Sequence, residues 1–428
     1  MDKERFINIL NRELVMALGC TEPVAIAYAA ALAGKYVKGR MASHIKVFAS
    51  GNVIKNAMAV SIPGTGGSGI NLAAALGILA HNTDKNLELL TGLTNEDIEN
   101  AKKIIKEGIV TVEIADSLKK LYIEVIVETP ESYARVIIED AHTNVVLIEV
   151  DRQIIENHQA CCTVQLDENE NTKFLTIDSI WEFINFVDVK ELDIIKDSMD
   201  LNMKIALEGL KNPYGLQVGR IIKKNSGNNI LSDDSSTYAV ALTAAGSDAR
   251  MAGCFMPVMS NSGSGNQGIS ATVPVVAFAE SLKVEREKMI RAVTISHLIT
   301  IYIKLKFGRL SALCGATISA IGASCGITYL LGGGIAEMKS AIQNMLGNVT
   351  GMLCDGAKPG CALKVATCTS AAIQSAVIAL HGIAIQPTDG IIENDPEQTI
   401  ENLCRLGNQG TLEADKIILE IMLKKANC

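Results

Sequence analysis

Cysteine is the residue with most chemistry to offer in this chain, and Cys314, Cys325, Cys354, Cys361 and Cys368 fall within one stretch almost free of charge. Thiols at that density form a disulfide framework, pack as inert core, or bind a soft metal centre. Helical rise prunes the set. On one helix Cys361 and Cys368 would stand about 10 Å apart along the axis, and Cys314 and Cys325 roughly 16 Å, so each pair offers one thiol to a compact centre. The turn in CDGAKPGC, with Gly356, Pro359 and Gly360, can fold Cys361 back beside Cys354. Cys314 can approach from another helix. Three thiolates with a fourth iron position open make a Lewis acid toward a bound substrate atom. On the residues alone, buried small hydrophobes remain an equal alternative.

A further thiol, Cys20, stands between two helical patterns. Phe6, Ile9, Leu10, Leu14, Val15 and Leu18 recur at helical spacing over residues 3–18, which Gly19 ends. Thr21 or Glu22 then caps a second helix with Pro23 in its first turn. Unpaired N–H groups and the helix dipole at such a start favour a thiolate. Two loops echo each other, SIPGTGGSGINLAAALGI at residues 61–78 and SNSGSGNQGISATVPVVA at 260–277. Each is a Ser/Gly/Asn turn running into an apolar helix, where backbone N–H groups can hold a carboxylate or phosphate. Neither carries the Walker lysine or a dinucleotide fingerprint in a strand–helix context, and a plain tight turn explains either one alone.

The elements that must position these groups change character along the chain. IKVFAS, VTVEIA, LYIEVIVET, ARVIIED and VVLIEV alternate like strands of a half-buried antiparallel sheet, so residues 44–172 are expected to form an α+β domain, with 157–172 as its exit connection. Residues 173–428 read as helices, a larger domain carrying the cysteine cluster. Residues 1–43 are expected to pack on that helical domain. Strands first and helices later make an α+β fold, not a doubly wound sheet.

Bulk composition excludes several function classes. A formal charge of -8 and the lack of Lys/Arg clusters argue against nucleic acid as a partner. Residues 251–279 and 310–336 are uncharged and long enough to span a bilayer, but Gly, Ser and Asn interrupt both and no aromatic belt flanks them, so no membrane is expected. The charged, amphipathic start has no apolar signal core, so the protein is expected in the cytoplasm with its cysteines mostly reduced. That disfavours disulfides.

Taken together, ALGCTEP at residues 17–23, the two glycine-rich loops, and the SALCGA and MLCDGAKPGCALK segments resemble the L-cysteine desulfidase family, which is related to the alpha chain of iron–sulfur L-serine dehydratases. SSTYAVALTAAGSDARMAGCFMPVMSNSGSGNQGI is similar to the glycine-rich substrate segment of that dehydratase chain. The resemblance covers nearly the whole sequence. It implies a [4Fe-4S] lyase, free of pyridoxal phosphate, that converts L-cysteine to pyruvate, ammonia and hydrogen sulfide. By the family pattern Cys314, Cys354 and Cys361 match the cluster ligands and Cys20 the catalytic base. Loop composition then offers Gly64, Thr65, Gly66, Asn261, Ser262 and Asn266 to hold the amino acid substrate. L-serine dehydratase is the nearest alternative, and lack of a dehydratase β-like portion leans toward cysteine. A small-molecule-binding protein without iron is the alternative from another class. A homo-oligomer is left open.

Remaining polar residues have plain readings. His297 and His381 are expected as satisfied core histidines, Cys161 and Cys162 as structural, and Asn52 and Lys55 as a solvated face. Cys428, on the terminal LKKANC tail, could reach the open iron position when substrate is absent, although chain ends seldom carry function.

Overall fold

Valine and isoleucine at every second position stiffen the 44–151 region into strands. In β1 (His44–Ala49) Ile45, Val47 and Ala49 are buried and their neighbours are more open. The computed structural model describes residues 2–39, 42–80, 83–117, 119–158, 172–307 and 313–426. Its fold is α+β, 59% helical. The chain divides into a helical unit of Met1–Met16, Thr172–Cys354 and Pro359–Glu413, and a sheet unit of Ala17–Asn171, Asp355–Lys358 and Ala414–Cys428.

In the sheet unit the hairpin β2 (Ser61–Ile62) and β3 (Gly67–Ser68) stands apart from a six-stranded sheet. The sheet joins β1 to β4 (Val110–Ile114), β5 (Tyr122–Glu128), β6 (Tyr133–Glu139), β7 (Val145–Val150) and β8 (Gln153–Asn157), in the spatial order β4-β1-β5-β6-β7-β8. Val47 faces Val125, and Val125 faces Val136, so one apolar face runs across the strands. The sheet is not wholly antiparallel. β1 and β4 run parallel, Ile45 opposite Val110, because a helical crossover returns the chain in the same direction.

Helix α2 (Thr21–Tyr36) lies against β5 and β6, beside α4 (Ile70–Leu79), after α1 (Lys3–Glu13) and the short α3 (Gly51–Ala57). A Cβ on Gly77 would come within 2.2 Å of the Ala27 carbonyl oxygen, so these two helices meet backbone to backbone. The expected grouping of residues 1–43 therefore divides: α1 belongs to the helical unit and α2 to the sheet unit. The cause is α2 itself, whose Val24, Ile26 and Ala27 to Ala31 are buried on all sides and need a sheet as well as a helix to cover them. α5 (Asn95–Lys106) starts with a capping box between Thr94 and Asp97.

α1 stops at Glu13, short of the predicted Leu18. The carbonyls of Glu13 and Val15 are taken instead by Ser262 N–H at 3.0 Å and Ser260 N–H at 2.8 Å, so tertiary backbone bonds replace the next helical turn. The helical unit continues through α6 (Ile177–Phe186), α7 (Asp193–Lys211), α8 (Val218–Asn225), α9 (Ser235–Met251), α10 (Gly265–Ser281) and α11 (Arg286–Phe307). It then runs through α12 (Gly315–Leu330), α13 (Ile335–Val349), α14 (Cys361–Leu380) and α15 (Pro396–Arg405). α12 is buried almost throughout and packs on α10, α11, α13 and α14. At its closest crossing a Cβ on Gly322 would lie 2.2 Å from the Ser296 carbonyl oxygen. Few aromatics are needed in such a core, because small residues let helix axes approach. Phe6 and Phe183, with stacked rings 4.5 Å apart, close one end.

Of the two uncharged stretches, 251–279 is interrupted by turns, and 310–336 holds a helix of 16 residues. Among the described residues one helix, Cys361–Leu380, is long and apolar enough to cross a membrane, and 56% of its apolar window is buried inside the fold.

Candidate active site

Cys314 immediately precedes α12 in extended backbone. Its N–H donates to the Met352 carbonyl at 2.9 Å, and Leu313 bridges Leu353 in antiparallel fashion. Cys354 follows Leu353 directly, and Cys361 is the first residue of α14. Burial pushes the Cys314 thiol up to about 12, and the charges of Cys354, Cys368 and Cys361 add to that rise. Backbone pairing sets the Cys314 and Cys354 segments side by side within the helical unit, and Lys364 ties the first turn of α14 to the Leu353 carbonyl. Cys368 lies on the same continuous helix as Cys361, as expected, and points at a neighbouring segment. Its Sγ lies 3.5 Å from Met352 Sδ and 3.7 Å from Thr317 Oγ1, and it is fully buried. Cys325, inside α12 with its sulfur toward the Met338 carbonyl, is core.

The cluster that the resemblance implies can be tested against this donor set. Cys314, Cys354 and Cys361 are not joined in disulfides, the first buried and the other two half-buried. The nearby cations are engaged elsewhere: Lys364 Nζ donates to the Leu353 carbonyl at 2.7 Å, and Lys358 pairs with Asp355. Among the described residues no three Cys, His, Asp or Glu side chains stand close enough to grip a single metal ion. A cluster presents its irons on separate corners, so thiols spaced more widely than single-ion ligands suit it by type. A thiol raised by burial keeps its proton until a cation takes it as thiolate. The residues fit the group by chemistry, and backbone pairing sets two of their segments side by side.

Residues Asp355–Lys358, between two of these thiols, belong to the sheet unit. Gly356 adopts φ +91°, and a Cβ there would lie 2.2 Å from the Lys55 carbonyl oxygen. Lys55 is not on a solvated face as expected. It is 2% exposed, with Nζ 2.5 Å from Asp415 Oδ1.

The 260–268 loop is tied down from below. Asn261 is fully buried, and its Nδ2 donates to His297 Nδ1 at 3.0 Å and to the His297 carbonyl at 3.3 Å. Both partners are acceptors, which fixes the amide orientation and puts the imidazole proton on Nε2, facing Ser198 Oγ at 2.9 Å and Thr272 Oγ1 at 3.0 Å. Burial holds His297 down to about 3, so it is a neutral strut. Ser262, at φ +49°, donates its hydroxyl to Asn261 Oδ1. Asn266 opens α10, and its buried Oδ1 has no hydrogen-bond partner. Gln267, 2% exposed, donates Nε2 to the Asn261 carbonyl, while its Oε1 has no hydrogen-bond partner and would sit 3.0 Å from a Cβ on Gly315, the residue after Cys314. Gln267 escaped the sequence reading because nothing in its spacing separates it from the other polar residues of the loop.

In the sheet unit Cys20 is the residue before α2, and Gly19, at φ +77°, packs where a Cβ would meet Pro63 at 2.7 Å. The thiol therefore adjoins the 61–68 hairpin. There Gly64 and Gly66 both take positive φ, and Thr65 spends its hydroxyl on the turn, donating to the Ile62 carbonyl at 2.8 Å and accepting from Gly67 N–H at 3.2 Å. Cys20 Sγ donates to Glu22 Oε2 at 3.0 Å, which Thr21 Oγ1 also reaches at 3.1 Å, while Asn56 Nδ2 donates to Glu22 Oε1 at 3.1 Å. Cys20 and Glu22 are 6% and 7% exposed. A carboxylate accepting from the thiol opposes a standing thiolate, so the helix dipole alone does not activate Cys20. Glu22 was read as a cap because an acid in a helix's first turn ordinarily plays that part.

His381 is exposed at the end of α14, not in the core, because the helix stops there. Cys161, Cys162, Cys428 and the 308–312 stretch lie outside the described residues. An open concavity of about 800 Å³ at the end of the sheet, lined by Glu128, Glu149, Asp151 and Arg152 among others, contains no cysteine.

The helical unit thus carries Cys314 and Cys354 on paired segments, and the sheet unit carries a buried thiol–carboxylate pair, within an α+β fold. The family model described as serine dehydratase alpha chain matches residues 84–420, and the chain belongs to that family, one of lyases. It is 48% identical over 421 residues to a UPF0597 protein of Oleidesulfovibrio alaskensis, covering 98% of each chain. A UPF0597 protein of Clostridium perfringens shares 46% over 424 residues, covering 99% of each, and one of Phocaeicola vulgatus shares 42% over 426 residues, covering 99% of this chain and 98% of its own.

Proposed function

We propose that this chain is an iron–sulfur lyase that performs α,β-elimination on L-cysteine, giving pyruvate, ammonia and hydrogen sulfide. The observation that carries the reading is the backbone bond from Cys314 to Met352, which joins the Cys314 and Cys354 segments beside the start of the Cys361 helix. Cys314, Cys354 and Cys361 would hold a [4Fe-4S] cluster, whose open iron would supply Lewis acidity toward the substrate's β-heteroatom.

The rest of the reaction falls to side chains of this chain. Cys20 Sγ takes the α-proton, the one acid–base step that elimination requires. Loss of the β-group leaves aminoacrylate, which tautomerises to an imine and hydrolyses in water. Asn266 Oδ1 and Gln267 Oε1, buried without hydrogen-bond partners, are suited to accept from the substrate's ammonium. Backbone N–H groups of a glycine-rich turn that runs into a helix are suited to its carboxylate. Asn261, Ser262 and Thr65 act as braces that set such turns, since their side chains bond within the loops.

L-serine as substrate is the second reading, and the match to the serine dehydratase alpha chain favours it. The two differ in the leaving group alone. Hydrosulfide is the better leaving anion and the softer iron ligand, which with the ALGCTEP resemblance favours cysteine. Anaerobic reconstitution with iron and sulfide, followed by pyruvate and sulfide assays on both amino acids, is the test. We expect pyruvate from L-cysteine with matched sulfide and a lower kcat/KM for L-serine. A higher kcat/KM for L-serine transfers the assignment to dehydratase, and no elimination from either removes both.

A further inference from the structure

Glu22 is more deeply held than a helix-start acid needs to be. Such residues ordinarily stand in water and gain only modestly from the dipole. Glu22 instead receives three side-chain donors, Cys20 Sγ, Thr21 Oγ1 and Asn56 Nδ2, while nearly excluded from solvent. Asn56 comes from α3 and Thr21 from α2, so two elements fix the carboxylate with one oxygen on the Cys20 sulfur. We propose that Glu22 is the terminal proton acceptor of the elimination, with the Cys20 thiol as the relay between it and the substrate.

The inference rests on the reading of Cys20 as the group that meets the α-proton, and it resolves the difficulty that a protonated thiol is a poor base. As the Cα–H bond breaks, its proton goes to Cys20 Sγ while the thiol's own proton goes to Glu22 Oε2. The Cα–H electron pair becomes the Cα–Cβ π bond, and the Cβ–S pair leaves on hydrosulfide. Negative charge thus moves from Glu22 to the leaving group, and no thiolate need stand free in a buried site. Return of the proton from Glu22 through Cys20 to hydrosulfide releases hydrogen sulfide and resets the pair. Glu22 acts through Cys20, so it is a positioning and proton-storing residue. Asn56 keeps its unused oxygen oriented.

Glu22→Gln keeps the shape and removes the charge, and the reconstituted variant is expected to lose kcat by about 100-fold or more with KM within about twofold and iron content unchanged. Glu22→Asp should recover part of that loss. In cluster-free protein the same Glu22→Gln change should speed alkylation of Cys20 by iodoacetamide at neutral pH, followed by peptide mass spectrometry, because a thiol relieved of a neighbouring anion ionises more readily. Reactivity up with turnover down is the signature of the relay. Turnover near wild type in Glu22→Gln, with Cys20→Ala inactive, overturns the relay and leaves the Cys20 reading standing. A fall in turnover without faster alkylation assigns Glu22 to helix stability and overturns it as well. Full activity in Cys20→Ala removes both.

Discussion

Cys314 N–H donates to the Met352 carbonyl at 2.9 Å, and that bond aligns two thiol-bearing segments far apart in sequence. The Leu313–Leu353 bridge beside it makes a minimal antiparallel pairing, the arrangement that fixes register with least backbone. Cys354 is then one residue beyond the pairing, at the start of the CDGAKPGC turn that ends on Cys361. Cys368, about two turns deeper along the same helix, faces Met352 and Thr317.

Cysteine-to-serine substitution separates ligands from bystanders. Cys314→Ser, Cys354→Ser and Cys361→Ser are each expected to abolish iron retention after anaerobic reconstitution, because serine is a poor ligand for iron in such clusters. Cys368→Ser and Cys325→Ser should keep iron near the wild-type ratio per chain and lose only about 1–2 kcal/mol of stability for a polar group placed in apolar surroundings. Iron analysis and visible absorbance check both sets. Retained iron in Cys354→Ser with loss in Cys368→Ser would exchange the two assignments.

How much of this was legible in the sequence depended on whether one residue's environment was local. Period-two alternation of residue types located β1 and β4 to β7, and burial follows it most closely in β1 and β5. β8 was missed because all of Gln153–Asn157 is exposed and carries no alternation. The parallel pairing of β1 with β4 was also hidden, because strand direction is set by the crossover between them. At the site, turn chemistry could show that Cys354 and Cys361 were able to meet. Helical rise separated Cys361 from Cys368 along α14, but it is blind to what a neighbouring segment brings, such as Met352 beside Cys368. Asn56 and Glu22 meet only because α3 folds against α2, which no spacing reveals.

Gly356 is expected to be intolerant of any side chain. Its φ of +91° is strained for alanine, and the new Cβ would sit 2.2 Å from the Lys55 carbonyl oxygen, so the Asp355–Lys358 turn must move. The left-handed penalty alone is about 1–2 kcal/mol. Gly356→Ala should therefore lose iron while circular dichroism stays close to wild type. Gly351→Ala, with open space around it, serves as the control and should change neither.

Two buried titrating groups in the helical unit give opposite pH dependences. Burial lifts Asp248, which also accepts from Gly219 N–H, to about 6, so the folded state holds its proton while the unfolded state does not. Stability from this group grows as pH falls from about 6 toward 4, by up to about 3 kcal/mol. His297 is depressed to about 3, so the unfolded state gains its proton first and stability is lost as pH falls from about 6.5 to 3, by up to about 4–5 kcal/mol. The two nearly offset between pH 6 and 4, and the His297 loss alone continues below. Urea midpoints of His297→Gln should be lower than wild type at pH 7, where Ser198, Thr272 and Asn261 lose a partner, yet rise relative to wild type as pH falls toward 4. Parallel midpoint curves for the two proteins would contradict this.

Gln267 joins the loop to the start of the Cys314 helix, and its two ends make separable predictions. Nε2 holds the Asn261 carbonyl at 3.1 Å, and losing that bond strands a buried acceptor at about 1–2 kcal/mol. Oε1, close to Gly315 and without a hydrogen-bond partner, contributes little to folding and is placed to accept from a ligand. Gln267→Met keeps the volume and removes both functions. It should lower the thermal midpoint by a few degrees. If Oε1 accepts from the substrate's ammonium, KM for L-cysteine should rise about tenfold with kcat within threefold and iron content unchanged, because the lost interaction is made equally in the ground and transition states. A fall in kcat with KM unchanged would instead tie Gln267 to the geometry around Cys314, through the loop it anchors.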